Sequence, residues 1–157
     1  MATPVLGPGD LAPDFALRTH TGEEWKLSKA LEQGPVVLFF YPKDDTPVCI
    51  VEACGFRDMH AAFLGHGAQV VGVSRDSVAS HESFARRYEL PFTLLSDPDG
   101  GVRQLFGVKK TLGFMDGRVT FVIDKQQRIR HYFRSALNAK AHVEQALDTL
   151  RSLRATA

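Results

Sequence analysis

An unbroken apolar run at residues 36–41, Val-Val-Leu-Phe-Phe-Tyr, is the strongest signal in the chain. It has no polar face, so it predicts a central strand covered by helices on both sides. Residues 69–74 (Gln-Val-Val-Gly-Val-Ser) predict a second buried strand, and residues 92–96 a third. The stretches between them carry helical spacing instead. One helix is predicted from Cys49 to about Leu64. Another is capped by Ser77 and runs to about Tyr88, with Val78, Phe84, Ala85 and Tyr88 on one side. After a turn at Asp97-Pro98-Asp99-Gly100 a short helix covers residues 102–106. Residues 119–123 and 129–133 flank a turn and predict an antiparallel hairpin. Val143, Ala146, Leu147, Leu150 and Leu153 then share one face of a closing helix over residues 139–153, with Asn138 as its cap. Upstream, residues 3–13 are rich in Pro and Gly and should run extended over the surface. Residues 14–17 and 24–27 flank Thr21-Gly22 as a short hairpin, and Ser28 caps a short helix at 29–32 that Gly34-Pro35 stops.

Strands alternating with helices, then a hairpin, then a helix, predict an α/β domain with a central mixed β-sheet flanked by helices on both faces. The thioredoxin-like fold is one such arrangement. The 157 residues show no repeat or composition break, so residues 1–157 are expected to form a single domain. Nineteen basic residues against eighteen acidic ones leave a formal net charge of +1, which argues against nucleic acid or an anionic membrane as partner. The longest apolar run is far too short to cross a bilayer. The first seventeen residues lack a basic segment followed by an apolar one, so a cytoplasmic location is expected.

Chemistry enters with the only two cysteines, Cys49 and Cys54. In a reducing compartment a close pair is more often catalytic or metal-binding than a structural staple. Cys49 follows a buried strand and a Pro-bounded loop, where a helix begins. Free N–H groups and the positive end of the macrodipole stabilise a thiolate there, as a nucleophile for peroxide requires. The Thr46 hydroxyl, three residues earlier, can donate to the attacked oxygen. Pro42 and Pro47 stiffen the loop. A cation should receive the charge of the leaving oxygen, and spacing leaves two candidates, Arg57 and Arg118. On one regular helix the Cys49 and Cys54 Cα atoms would be roughly 8–9 Å apart, whereas a disulfide needs about 4.4–6.8 Å. Joining them therefore requires local unwinding.

The segment containing Pro42, Thr46, Cys49 and Cys54, followed by Gly55-Phe56-Arg57-Asp58, resembles the active-site signature of the peroxiredoxins, in particular the Q-type or bacterioferritin comigratory protein branch. Pro8 to Phe15, Gly72-Val73-Ser74 with Asp76, residues 93–97 and Thr120-Phe121-Val122-Ile123-Asp124 extend the likeness over nearly the whole chain. The resemblance implies that Cys49 is the peroxidatic cysteine and Cys54 the resolving one, joined in a redox disulfide. It implies that Arg118, rather than Arg57, is the site arginine, and that Glu52 orients it. It also implies a hydroperoxide substrate and thioredoxin or a similar dithiol as reductant, with no metal, haem or flavin. A monomer or weak homodimer is expected. The chain departs from the branch at Val48 and Ile50, where Gly and Thr are usual, and both are expected to make the pocket rim more apolar.

Blander readings compete residue by residue. Two inert core cysteines, or a metal site from Cys49, Cys54, His60 and His66, would suit a cytosolic domain, but Cys-x4-Cys is unusual spacing for zinc. Asp44 and Asp45 read as loop solubilisers, and Trp25, Phe39 and Phe40 as core. A thiol–disulfide oxidoreductase normally needs Cys-x-x-Cys, which is absent. A chaperone or binding module on the same fold would need neither Thr46 nor Cys49.

Overall fold

A computed structural model describes residues 6–110 and 116–155. Among these residues seven strands form one sheet, and six helices cover it. In chain order they are β1 (Ala16–Thr19), β2 (Glu24–Lys26), α1 (Leu27–Ala30), β3 (Val36–Phe40), α2 (Pro47–Asp58), α3 (His60–Gly65), β4 (Gln69–Ser74), α4 (Val78–Arg87), β5 (Thr93–Ser96), α5 (Gly101–Leu105), β6 (Val119–Ile123), β7 (Ile129–Arg134) and α6 (Ala139–Ala155). The strand order is β2-β1-β5-β4-β3-β6-β7. β3, β4 and β5 run parallel, whereas β6 is antiparallel to β3. This is a mixed sheet of the thioredoxin-like kind.

β3 is central because neither of its faces can meet water. Val37, Phe39 and Tyr41 point into one core, against α2, α3, α4 and α6. Val36, Leu38 and Phe40 point into the other, against α1 and α5. Phe39 stacks on Phe56 with ring centroids 4.5 Å apart. Its ring occupies the space beside Gly72, where an added Cβ would lie 2.7 Å from Phe39 Cζ. Truncating a phenylalanine buried this way costs about 3–5 kcal/mol.

Three expectations need correction. The helix predicted to continue from Cys49 to about Leu64 is two helices, broken at Met59, where φ is −100° and ψ is 8°. The break brings the Phe56 and Phe63 rings to 5.6 Å in the same core, whereas seven residues of straight helix rise roughly 10 Å. The first helix spans Leu27–Ala30, and Ser28 is inside it rather than capping it. A distant carboxylate does the capping: Asp14 Oδ1 accepts from the Ser28 N–H at 2.9 Å. Finally, the N-terminal stretch does not simply lie over the surface. Its first residues fall outside the described ones, but Gly9 and Ala12 donate to Ile129 and Gln127 carbonyls, and Ala12 is buried. By contrast, Ser77 and Asn138 cap α4 and α6 as expected, accepting from Ser80 and Ala141.

Candidate active site

The loop after β3 leads to the site. Pro47 occupies the first turn of α2, where a missing N–H costs nothing. Thr46 is the extended N-cap residue, yet its side chain does not cap the helix. Its hydroxyl donates instead to the Lys43 carbonyl at 2.8 Å. Cys49 is the third residue of α2, so its N–H has no intrahelical acceptor. The loop is anchored by Asp44, which corrects the reading of that residue as a solubiliser. Asp44 is buried, and it accepts from Tyr41 at 2.6 Å and Ser80 at 2.8 Å. His81 Nδ1 lies 2.7 Å from its second oxygen, and the Asp44 N–H donates to Asp76. Burial and the adjacent Asp44 push the Tyr41 phenol far up, so it stays a donor. Asp45 remains exposed and pairs with Arg87.

Cys49 Sγ sits at the bottom of this arrangement, its residue 1% exposed. Arg118, just before β6, reaches it: Nη2 donates to Sγ at 3.1 Å, Nη1 to Glu52 Oε1 at 2.7 Å and Nε to the Ala136 carbonyl at 3.1 Å. Three acceptors in three directions fix the guanidinium plane. Arg57 is elsewhere, donating to the Tyr88 carbonyl and to Asp58. Burial lowers the Arg118 pKa, but Glu52 and Cys49 outweigh it and the net direction is up.

Glu52 is 0% exposed. Burial raises its pKa to about 7, with Arg118 opposing. Its Oε2 has no hydrogen-bond partner among the described residues, and the nearest ring nitrogen is His142 Nδ1 at 3.5 Å. His142 accepts at Nδ1 from Thr120 at 2.7 Å and donates from Nε2 to the Ser135 carbonyl at 2.9 Å. Burial lowers its pKa to about 4, against the Ser135 bond, so it is neutral.

A cavity of about 460 Å³ opens beside the start of α2, bounded by Pro42, Thr46, Pro47, Val48, Arg118 and Leu137, among others. Pro42, Thr46 and Arg118 thus line one cavity, and Arg118 joins it to the Cys49 sulfur. Cys54 does not join them. It lines a separate groove of about 610 Å³ between α2 and α6, with Ile50, Val51, Met59, Val143 and Leu147. Both cysteines are free thiols, and Cys54 is half-buried. Of the two departures from the branch, Val48 borders the cavity but Ile50 faces the groove, so only Val48 makes the cavity rim more apolar.

Among the described residues Cys49, Cys54, His60 and His66 do not assemble into a metal site. One group of potential ligands does, Asp44, Asp76 and His81, but its oxygens and Nδ1 are engaged with one another and with Tyr41, Ser80 and Ser74.

Residues 8–132 match the family model of the AhpC/TSA family. The chain belongs to that family. Within it the likeness is to the Q-type branch. The chloroplastic peroxiredoxin Q of Oryza sativa subsp. japonica is 42% identical over 149 residues, which are 94% of this chain and 68% of that relative. Peroxidoxin BcpB from Mycobacterium tuberculosis superposes with a TM-score of 0.89 at 42% identity, over 95% of this chain and 99% of that one. The bacterioferritin comigratory protein of Xanthomonas campestris, whose structures address its alkyl peroxide reduction activity, superposes with a TM-score of 0.83 at 28% identity, over 95% and 97%. The protein is a Q-type peroxiredoxin, hence a thiol peroxidase served by a thiol reductant.

Sequence reasoning missed two residues behind this peroxiredoxin site, His81 and His142. Both had a legible signal: each lies at helical spacing with the apolar residues of its helix, so each falls on the buried side.

Proposed function

We propose that this peroxiredoxin reduces hydrogen peroxide and alkyl hydroperoxides in the cytoplasm, as part of antioxidant defence, by a cycle carried on its two cysteines. The Cys49 thiolate attacks the terminal peroxide oxygen and the O–O bond breaks. The leaving hydroxide or alkoxide takes a proton to become water or alcohol, and the sulfur is oxidised to a sulfenic acid. The Cys49 N–H and Arg118 hold the peroxide oxygens and stabilise the developing charge, Thr46 joins them by turning its hydroxyl from the Lys43 carbonyl, and Pro42 walls the pocket. The start of α2 then unwinds, Cys54 attacks the Cys49 sulfur, a disulfide forms and water leaves. A dithiol, thioredoxin or a similar protein, restores both thiols by exchange. Both cysteines belong to one chain, so a monomer or weak homodimer suffices.

The observation that carries the reading is the Arg118 guanidinium 3.1 Å from Cys49 Sγ, while Glu52 holds its other arm. The alkyl part of the substrate range is supported by the apolar cavity rim of Pro42, Val48, Ala136 and Leu137, and by the activity of the Xanthomonas relative.

Intact mass after one equivalent of peroxide tests the cycle. The expected product is lighter by about two mass units, the disulfide, with no added oxygen. Cys49→Ser should abolish peroxide reduction, because a serine hydroxyl is too weak a nucleophile near neutral pH. Substantial turnover by the pure variant would defeat the assignment. The unwinding step is read by amide hydrogen exchange: residues 49–56 should exchange faster in the disulfide form, while β3 and β4 stay protected. Equal protection in both forms would remove that step.

A further inference from the structure

The ladder between β3 and β6 ends where the active site begins. The last registered pair is Phe40 with Val119. One step further, the Tyr41 N–H is spent on the Val73 carbonyl of β4. The residue after it, Pro42, therefore faces β6, and continuing the register sets it opposite Gly117. Proline has no N–H to give. The Gly117 carbonyl thus loses its bond from β3 at the point where the two segments part around the peroxide cavity.

Arg103 fills that gap. Nη1 donates to the Gly117 carbonyl at 2.6 Å and Nη2 to the Tyr41 carbonyl at 2.8 Å. Gly117 immediately precedes Arg118, and Tyr41 immediately precedes Pro42. The side chain is 5% exposed and lies over the Phe40 ring. Asp97 accepts from its backbone N–H, which fixes the start of α5. Among the described residues no carboxylate stands within 4.0 Å of the guanidinium, so its charge is buried without an ion-pair partner.

We propose that Arg103 is a second positioning arginine of the peroxidatic site, one that supplies the missing rung between β3 and β6, holds Arg118 opposite the Pro42–Cys49 segment and lends its unpaired charge to the Cys49 thiolate. The inference rests on the peroxidase reading above. Burial lowers the Arg103 pKa, and Asp116, Asp97 and, least of the three, Cys49 oppose it. A buried charge with low screening acts at longer range than a surface one. The other charged and titratable groups around the site are Arg118 ahead of β6, Glu52 on α2 and His142 on α6. Asp97, Asp116 and Arg75 surround Arg103 electrostatically.

The test uses Arg103→Met, which keeps much of the length but neither charge nor donors, and Arg103→Lys, which keeps the charge but cannot fork to two carbonyls. Both are made beside Cys54→Ser, so that Cys49 alone reports. The pH profile of Cys49 alkylation gives the thiolate fraction, and a single oxidation by hydrogen peroxide gives the rate. In Arg103→Met the alkylation midpoint should move to higher pH, and oxidation should slow by at least about tenfold, as for loss of one preorganised donor. In Arg103→Lys the midpoint should return towards that of the parent, while oxidation stays several-fold slow. A purely structural arginine would lower the melting temperature and leave the alkylation midpoint where it is. A folded Arg103→Met with parental midpoint and rate overturns the proposal. Should Arg103→Met fail to fold, Arg103→Lys decides, and a parental oxidation rate there overturns the proposal equally. Absence of peroxide reduction in the unmodified protein would defeat the peroxidase reading and leave the alkylation comparison standing, so the two failures are distinguishable.

Discussion

Cys49 and Cys54 share one helix yet face opposite chemical worlds. Cys49 lies at the start of its helix with Arg118 on its sulfur, and Glu52 holds the other arm of that guanidinium. Cys54 looks into an apolar groove between α2 and α6, walled by Val51, Val143 and Leu147. The first environment is preorganised for charge, with the Arg118 guanidinium fixed by the Glu52 carboxyl and the Ala136 carbonyl. The second is held by packing, and close packing at that: a Cβ on Gly55 would come within 3.1 Å of Val143 Cγ2. One sulfur is placed for a reaction with an anionic transition state. The other is kept apart from it, and in the proposed cycle must move to act.

Removing the Cys54 thiol should give the largest contrast. Cys54→Ser should react once with peroxide at the normal rate, then stall as the sulfenic acid and over-oxidise readily. Steady-state turnover with thioredoxin should fall by on the order of a hundredfold or more, since exchange has no disulfide to act on. Sustained turnover with thioredoxin as the only thiol present would sink the separation of roles.

The charged side can be probed through Glu52, whose pKa burial raises from 4.5 to about 7. A carboxyl raised in the folded state contributes stability that is complete below pH 4.5 and is lost as pH rises through 7. Glu52→Gln should remove a loss on the order of 3 kcal/mol across that window. The quantity to read is the difference between the two proteins' urea stabilities. His142, held down at about 4, has the opposite slope, its contribution falling away as pH drops from 6.5 through 4. Because His142 Nδ1 lies 3.5 Å from Glu52, both proteins are compared beside His142→Asn, so that only Glu52 differs. A difference that does not change between pH 4.5 and 7 would show that Glu52 does not titrate there.

A smaller effect separates the two arginines. Arg118→Ala should slow the first oxidation by at least about tenfold, the cost of one transition-state donor. Arg57→Ala should change it by less than about twofold, because an exposed pair with Asp58 is worth little. If the two results are exchanged, the contact between Arg118 and Cys49 does not carry the chemistry.

Much of this architecture is legible in the chain because it is written in local periodicity. β4 and β6 fall where their apolar runs place them, and Ser77 and Asn138 cap the helices they precede. The Pro42–Thr46–Cys49 spacing identifies the reactive loop without any coordinates. Errors cluster where a partner distant in sequence intervenes. Asp14 takes over the cap expected from Ser28, and the aromatic core bends the helix at Met59. Asp44, which has the composition of a loop solubiliser, is claimed by Tyr41, Ser80 and His81.

By itself, then, the sequence determines the order of elements, the two-faced burial of β3 and the position of Cys49 at a helix start, since each depends on residues a few places apart. Only the tertiary structure decides which cation serves the sulfur, because Arg118 is 69 residues from Cys49 and reaches it through the antiparallel pairing of β6 with β3. The same holds for the depth of Glu52 and for Arg103 across the broken ladder. A charge declares its role through what surrounds it, and those surroundings are assembled by contacts between distant parts of the chain.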